Sequence, residues 1–139
     1  MTVPAAAYTA TTAHLVRIQA FTSAAEPGVS LVGLPAHSAG HTLDRIRAAV
    51  HNAGLSWPAQ PIVLQVFPHD LPTADSGLDA AFAIALLAAT GQIPIADLAQ
   101  RAVVGELGLD GRLRTVRCGS GPPRSPARAC PPRWWRPAT

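Results

Sequence analysis

From Asp79 to Ala89 every position after the aspartate is apolar, so a helix over this stretch has no polar face to turn toward water. Such a helix is buried at the centre of a domain. It is well short of the roughly 20 apolar residues that cross a bilayer, so protein must cover it. Gly91 follows as a left-handed stop, and the polar run Asp75-Ser76-Gly77 leads in. Asp75, Ser76 or Asp79 can serve the open amides and the positive end of the helix dipole. A hydroxyl at the mouth of a buried helix is also a place for a nucleophile or an anion site, but capping is the simpler reading.

The rest of the chain supplies elements to pack around this helix. Val16 and Ile18 alternate with Arg17 and Gln19 in the run from His14 to Phe21, the mark of a half-buried strand. Glu26-Pro27-Gly28 is a turn, and Val29 to Leu34 is a second short strand, expected to pair with the first as an antiparallel hairpin-like unit. Ser38 to Ala53 is an amphipathic helix with Leu43, Ile46 and Val50 on its apolar face, closed by Gly54. Pro61 to Pro68 is the strongest strand; β-branched and apolar on both faces, it belongs at the centre of the sheet. Residues 93–100 suggest a further helical turn, and 101–107 and 113–116 two last strands joined through Asp110-Gly111. The fold class expected is α+β, a two-layer α/β sandwich with a mixed sheet and two main helices. Residues 1–13 read as a flexible start, 14–117 as the domain and 118–139 as a disordered tail rich in Arg and Pro.

Charge changes the picture once it is divided by position. The 139 residues carry a net +3, but residues 1–116 alone carry −2 and residues 117–139 carry +5. The basicity belongs to the tail, so the folded part has no evident electrostatic footprint for nucleic acid. All eleven basic residues are Arg, and chemistry that needs a lysine amine is excluded. The only cysteines, Cys118 and Cys130, lie in the tail and neither staple the core nor build a zinc site. No positively charged leader region precedes residue 13, no spanning segment is present, and a cytoplasmic location without membrane contact is the default.

Two constellations bear on chemistry. His37, His41 and Asp44 fall at i, i+4 and i+7, a spacing that can offer ligands to a metal. They lie nearly opposite Leu43, Ile46 and Val50 and no second element completes a shell, so no metal and no cofactor is expected. In the tail, Trp134-Trp135 between Arg133 and Arg136 have the composition of a stacking surface for single-stranded bases, without a fold to hold the rings.

Four collinear segments carry a resemblance. They are Leu31-Val32-Gly33-Leu34-Pro35, Asp44-Arg45-Ile46-Arg47 running on to Gly54, Asp79 with the buried helix to Thr90-Gly91-Gln92-Ile93, and Val104-Gly105-Glu106-Leu107-Gly108-Leu109-Asp110-Gly111. In that order they resemble the amino-terminal domain of the Mg-chelatase-like ComM/YifB proteins. The resemblance implies a fold similar to the proteolytic domain of Lon proteases, within the superfamily of the ribosomal-protein type of sandwich. It also implies that the domain precedes an AAA+ ATPase module in complete relatives, a hexameric DNA-handling motor linked to branch migration. Lon-type peptidases use a Ser nucleophile and a Lys base. Here the nucleophile's place falls on Gly77 with Ser76 one residue away, and one residue turns a helical side chain by about 100°. The base is absent, and nothing places His69, Cys118 or Cys130 as a substitute. The chain also has no Gly-x-x-x-x-Gly-Lys-Ser/Thr loop for ATP.

The expectation is therefore a noncatalytic assembly or substrate-contact domain that lacks the ATPase module. Its family-motif loop is Asp75, Ser76, Gly77 and Asp79, it self-associates, and any DNA contact would pass through the missing module. The rivals are a residual serine hydrolase using Ser76 with His69 or an acid as helper, and a single-strand binder using the Arg-rich tail. The abrupt loss of pattern near Arg117 further suggests that a frameshift truncated a longer protein. Retranslation of the coding DNA in the other frames tests this: if neither frame restores a periodic helix and a P-loop, the idea fails.

Overall fold

The computed structural model describes residues 1–8, 13–24, 26–67, 78–94, 103 and 105–114. The elements are β1 (Thr2–Tyr8), β2 (Ala13–Thr22), β3 (Val29–Val32), α1 (Ala36–Asn52), β4 (Ile62–Phe67), α2 (Asp79–Ala89), β5 (Glu106–Leu107) and β6 (Leu113–Arg114). The first four strands to form a common sheet run in the order β1-β2-β4-β3, and β5 and β6 make a separate two-stranded ladder. The sheet is mixed: β1 with β2 and β2 with β4 are antiparallel, and β3 with β4 is parallel through α1 as crossover. The fold class is α+β, with a mixed four-stranded sheet and two helices, as the pattern of apolar positions indicates.

Two strand assignments change. The run read as a flexible start holds β1, whose Val3 and Ala5 are fully buried against the core. And β2 does not pair with β3, because β4 sits between them with Ile62 beside both Thr22 and Val29. A long, β-branched strand buries more by taking two neighbours than a four-residue strand does, so the central place goes to β4. Among the described residues one face of β4 is the covered one: Ile62, Leu64 and Val66 are buried, whereas Val63 and Gln65 are half-buried and Phe67 is exposed. The same one-sidedness runs across β2, where Val16, Ile18 and Ala20 are buried and Leu15 and Phe21 are exposed. Both helices lie on the covered side, α2 against β1, β2 and β4 and α1 against β3 and α2.

In α2, residues 79 to 88 are all buried, with Phe82, Ile84, Leu86 and Leu87 supplying its large side chains. Each helix ends in the same way. Leu55 N–H donates to Val50 O and Gly54 N–H to His51 O after α1, and Gln92 N–H donates to Leu87 O and Gly91 N–H to Ala88 O after α2. This paired closure requires a left-handed residue, and Gly54 (φ 78°) and Gly91 (φ 74°) supply it. On α1 the buried face is Thr42, Ile46, Ala49 and Val50. Leu43, assigned to that face from spacing, is only half-buried and lines a groove instead.

The Asp110-Gly111 turn does join β5 to β6, closed by Gly111 N–H to Gly108 O at 3.0 Å and Arg112 N–H to Asp110 Oδ1 at 3.0 Å. Of the strand expected over 101–107, residues 103 and 105–107 are described, with Glu106–Leu107 as β5; Val103 forms a parallel bridge to Ala5 on the outer edge of β1. The turn expected over 93–100 lies mainly outside the described residues, as does everything beyond 114.

Candidate functional site

The head of α2 is where sequence reasoning places chemistry. Of the motif loop, Asp75, Ser76 and Gly77 lie outside the described residues, as do His69, Cys118, Cys130 and the Trp134-Trp135 tail. Asp79 is described, and it has a specific use. Its side chain is 2% exposed, a placement a carboxylate tolerates only when paired. Arg45, from the middle of α1, donates from Nε to Oδ2 at 2.7 Å and from Nη2 to Oδ1 at 3.1 Å. This is a two-pronged, charge-assisted fork, the geometry in which guanidinium and carboxylate interact most strongly. The same Nη2 donates to Thr42 Oγ1 at 3.2 Å, so α1 supplies both the cation and a hydroxyl that steadies it.

The electrostatics follow from this geometry. The hydrogen bond to Asp79 pushes the Arg45 guanidinium above its ordinary pKa; burial pulls the other way, and the charges of Asp79 and of Glu106 on β5 add to the rise. With the folded value raised, the stability this charge gives is fully present below the unfolded arginine pKa and is lost only in strong alkali, so Arg45 is a fixed cation in the working range.

Capping by Asp75 or Ser76 lies outside the described residues. The position before the helix is Leu78, which makes no side-chain capping bond, and the Ala80 amide in the first turn donates instead to Gly105 O at 3.2 Å. Asp79 still places a negative charge in the first turn, where the dipole favours it. The head of α2 is thus fastened twice, by Arg45 of α1 and by the main chain beside β5.

At the other end of α2, Gln92 acts as a clip. Its Oε1 accepts from Ser56 N–H at 2.9 Å and its Nε2 donates to Ser56 O at 2.8 Å, holding the segment after α1 as a neighbouring strand would. Arg45 and Gln92 both fall in segments that carry the family resemblance, but nothing in those segments assigns either of them a role. The usable signal for Arg45 is the carboxylate one residue into a wholly apolar helix, which demands a cation from somewhere.

His37, His41 and Asp44 are all exposed on α1, in agreement with their position opposite the apolar stripe. Among the described residues no group of three His, Cys, Asp or Glu side chains could hold a metal ion. A groove of about 220 Å³ lies between β3 and α1, lined by Val29, Gly40, Leu43, Asp44, Arg47 and Trp57. The Arg47 guanidinium stands 5.0 Å from the centre of the Trp57 ring. This volume is below the roughly 300 Å³ at which small-molecule and cofactor sites begin, and suits a side chain better.

The sandwich and its fastened central helix belong to a known class. The family model for the ChlI subunit of Mg-chelatase matches residues 18–119, and the chain belongs to that family. Among its relatives, an uncharacterized protein of Mycobacterium tuberculosis is 43% identical over 104 residues, covering 75% of this chain and 21% of that protein. The competence protein ComM of Haemophilus influenzae is 40% identical over 104 residues, covering 75% of this chain and 20% of ComM. YifB of Escherichia coli is 42% identical over 90 residues, 65% of this chain and 18% of YifB. The chain spans about a fifth of the length of these relatives. No helix among the described residues is long and apolar enough to cross a membrane.

Proposed function

We propose that the chain is a noncatalytic assembly or substrate-contact domain of a Mg-chelatase-like AAA+ ATPase, of the DNA-processing, branch-migration type, with a fold akin to the Lon proteolytic domain. The observation that carries this reading is the use made of Asp79. Asp79, the acid of the motif loop that the structure describes, is held by both of its oxygens in a fork from Arg45, which fits a carboxylate employed as a fastener and not as a proton acceptor. The absence of any Lys from the sequence supports it further, since a Ser/Lys dyad then has no base. The name of the Haemophilus relative, a competence protein, favours a setting in DNA handling. In this reading nucleotide hydrolysis and DNA contact belong to a separate ATPase module, and the domain's own partners are other protein surfaces in the cytoplasm.

Incubation of the purified chain with a fluorophosphonate probe tests the noncatalytic part. The expected result is no labelling that depends on Ser76. Stoichiometric labelling that disappears in Ser76→Ala would make the chain a serine hydrolase.

A further inference from the structure

The strand β3 ends the sheet, and its outer edge has no strand partner among the described residues. Ile62 N–H donates to Gly28 O at 3.0 Å, which fixes the phase of the parallel ladder. By alternation Ser30 and Val32 turn their main-chain groups toward β4, and Val29 and Leu31 turn theirs outward. An outward row of donors and acceptors is a template for another strand, and proteins usually blunt it with Lys, Pro or an inward charge. Val29-Ser30-Leu31-Val32 carries none of these residues, and its length of four is what limits the template.

The groove described above lies directly beside this edge, with Val29 in common. Its apolar wall is Val29, Leu43 and Trp57; its rim carries one acid, Asp44, and one base, Arg47, both exposed. Neither takes part in an ion pair among the described residues, since the pairs found are Arg45 with Asp79 and Arg112 with Asp110. Adjacent opposite charges on one surface are complementary to their own two-fold image: an axis between them sets the acid of one copy against the base of the other. Gly40 adds to the argument. It sits in α1 at the groove, where it weakens the helix, and a side chain there would meet nothing within 4 Å. The open space over it admits close approach of another backbone.

We infer that the β3 edge and the adjoining α1 groove form a self-complementary docking surface, on which a second copy of this chain pairs β3 with β3 and sets its Arg47 against Asp44. The inference gives the assembly role proposed above a specific surface, and it rests on that reading.

The test is sedimentation of the whole chain over a range of concentrations, with charge-reversal variants at the two exposed positions. Asp44→Arg and Arg47→Asp should each weaken self-association about tenfold or more, and the double exchange should restore it to within about threefold of the parent. Val29→Pro removes an outward N–H while sparing the ladder to β4, and should weaken association as well. A chain that stays monomeric at about 100 μM overturns the inference, as does association indifferent to the single reversals. Single reversals that weaken association without rescue by the double exchange also overturn it, and point to a different occupant. None of these results depends on fluorophosphonate reactivity, so the surface can fail while the noncatalytic reading stands, and the converse.

Discussion

Asp79 is a charged residue placed one position into the most apolar helix of the chain, and the sequence alone leaves its task open between cap, dipole partner and chemistry. The fold settles its partner by bringing Arg45 across from α1, 34 residues earlier. A pairing at that separation cannot be read from local spacing; only the demand for a counter-charge is legible. Gln92 is similar, since nothing in Thr90-Gly91-Gln92 says that its amide will hold both main-chain groups of Ser56. Gln92→Ala removes the two exposed bonds to Ser56 and the one to Thr90 Oγ1, and should lower stability by about 1 kcal/mol, read as a shifted urea midpoint at constant slope. Gly111 makes a sharper case. Its φ is 84°, and an added Cβ would stand 3.1 Å from Ala49 O and 3.2 Å from Ala53 N, at the end of α1. Gly111→Ala should therefore cost about 2 kcal/mol or more, from the left-handed backbone and the crowding together. A thermal melt within a degree of the parent would contradict that packing.

Elements with strong patterns were legible, and pairings were not. The two helices, the central place of β4 and the hairpin through Asp110-Gly111 follow from periodicity and turn chemistry. β1 escaped notice because its inward positions are filled by Val3 and Ala5 among Thr, Pro and further Ala, too small and mixed to alternate visibly. The pairing of β2 with β4 instead of β3 is not legible because it joins pairs running from Thr22 with Ile62 to Arg17 with Phe67, far apart in the chain, and contacts of that range leave no trace in a local window. Within α2, Ala81, Ala83 and Ala85 are fully buried beside the large side chains, which lets the helix lie close to its neighbours. Ala83→Leu should destabilise by about 1–3 kcal/mol through overpacking, measured by chemical denaturation. The opposite sign is expected at Gly40 of α1, where Gly40→Ala should stabilise the isolated chain by about 0.5–1 kcal/mol because the site is open and helical.

At the scale of the whole molecule, the family follows from the match over residues 18–119, while the part this chain plays is an argument from its residues. The matched segment is about a fifth of each of these relatives, so most of their length lies outside it. Without a phosphate-binding Lys, the purified chain should release no phosphate from ATP above a buffer blank. What it does possess is cohesion: α1, α2 and the ladder of β5 and β6 meet where Arg45, Asp79, Glu106 and the Gly105 carbonyl converge. An acid used to hold that junction together is the physical basis for reading the domain as a scaffold. Removing one partner of such a pair leaves an uncompensated charge at the junction and should cost about 3 kcal/mol. The most direct measurement is a double-mutant cycle in urea with Arg45→Met, Asp79→Asn and the pair together. Our account predicts a double variant less destabilised than the sum of the singles by about 2 kcal/mol. Single effects below about 0.5 kcal/mol that simply add would show that Asp79 is not a fastener, and would reopen the head of α2 as a site for chemistry.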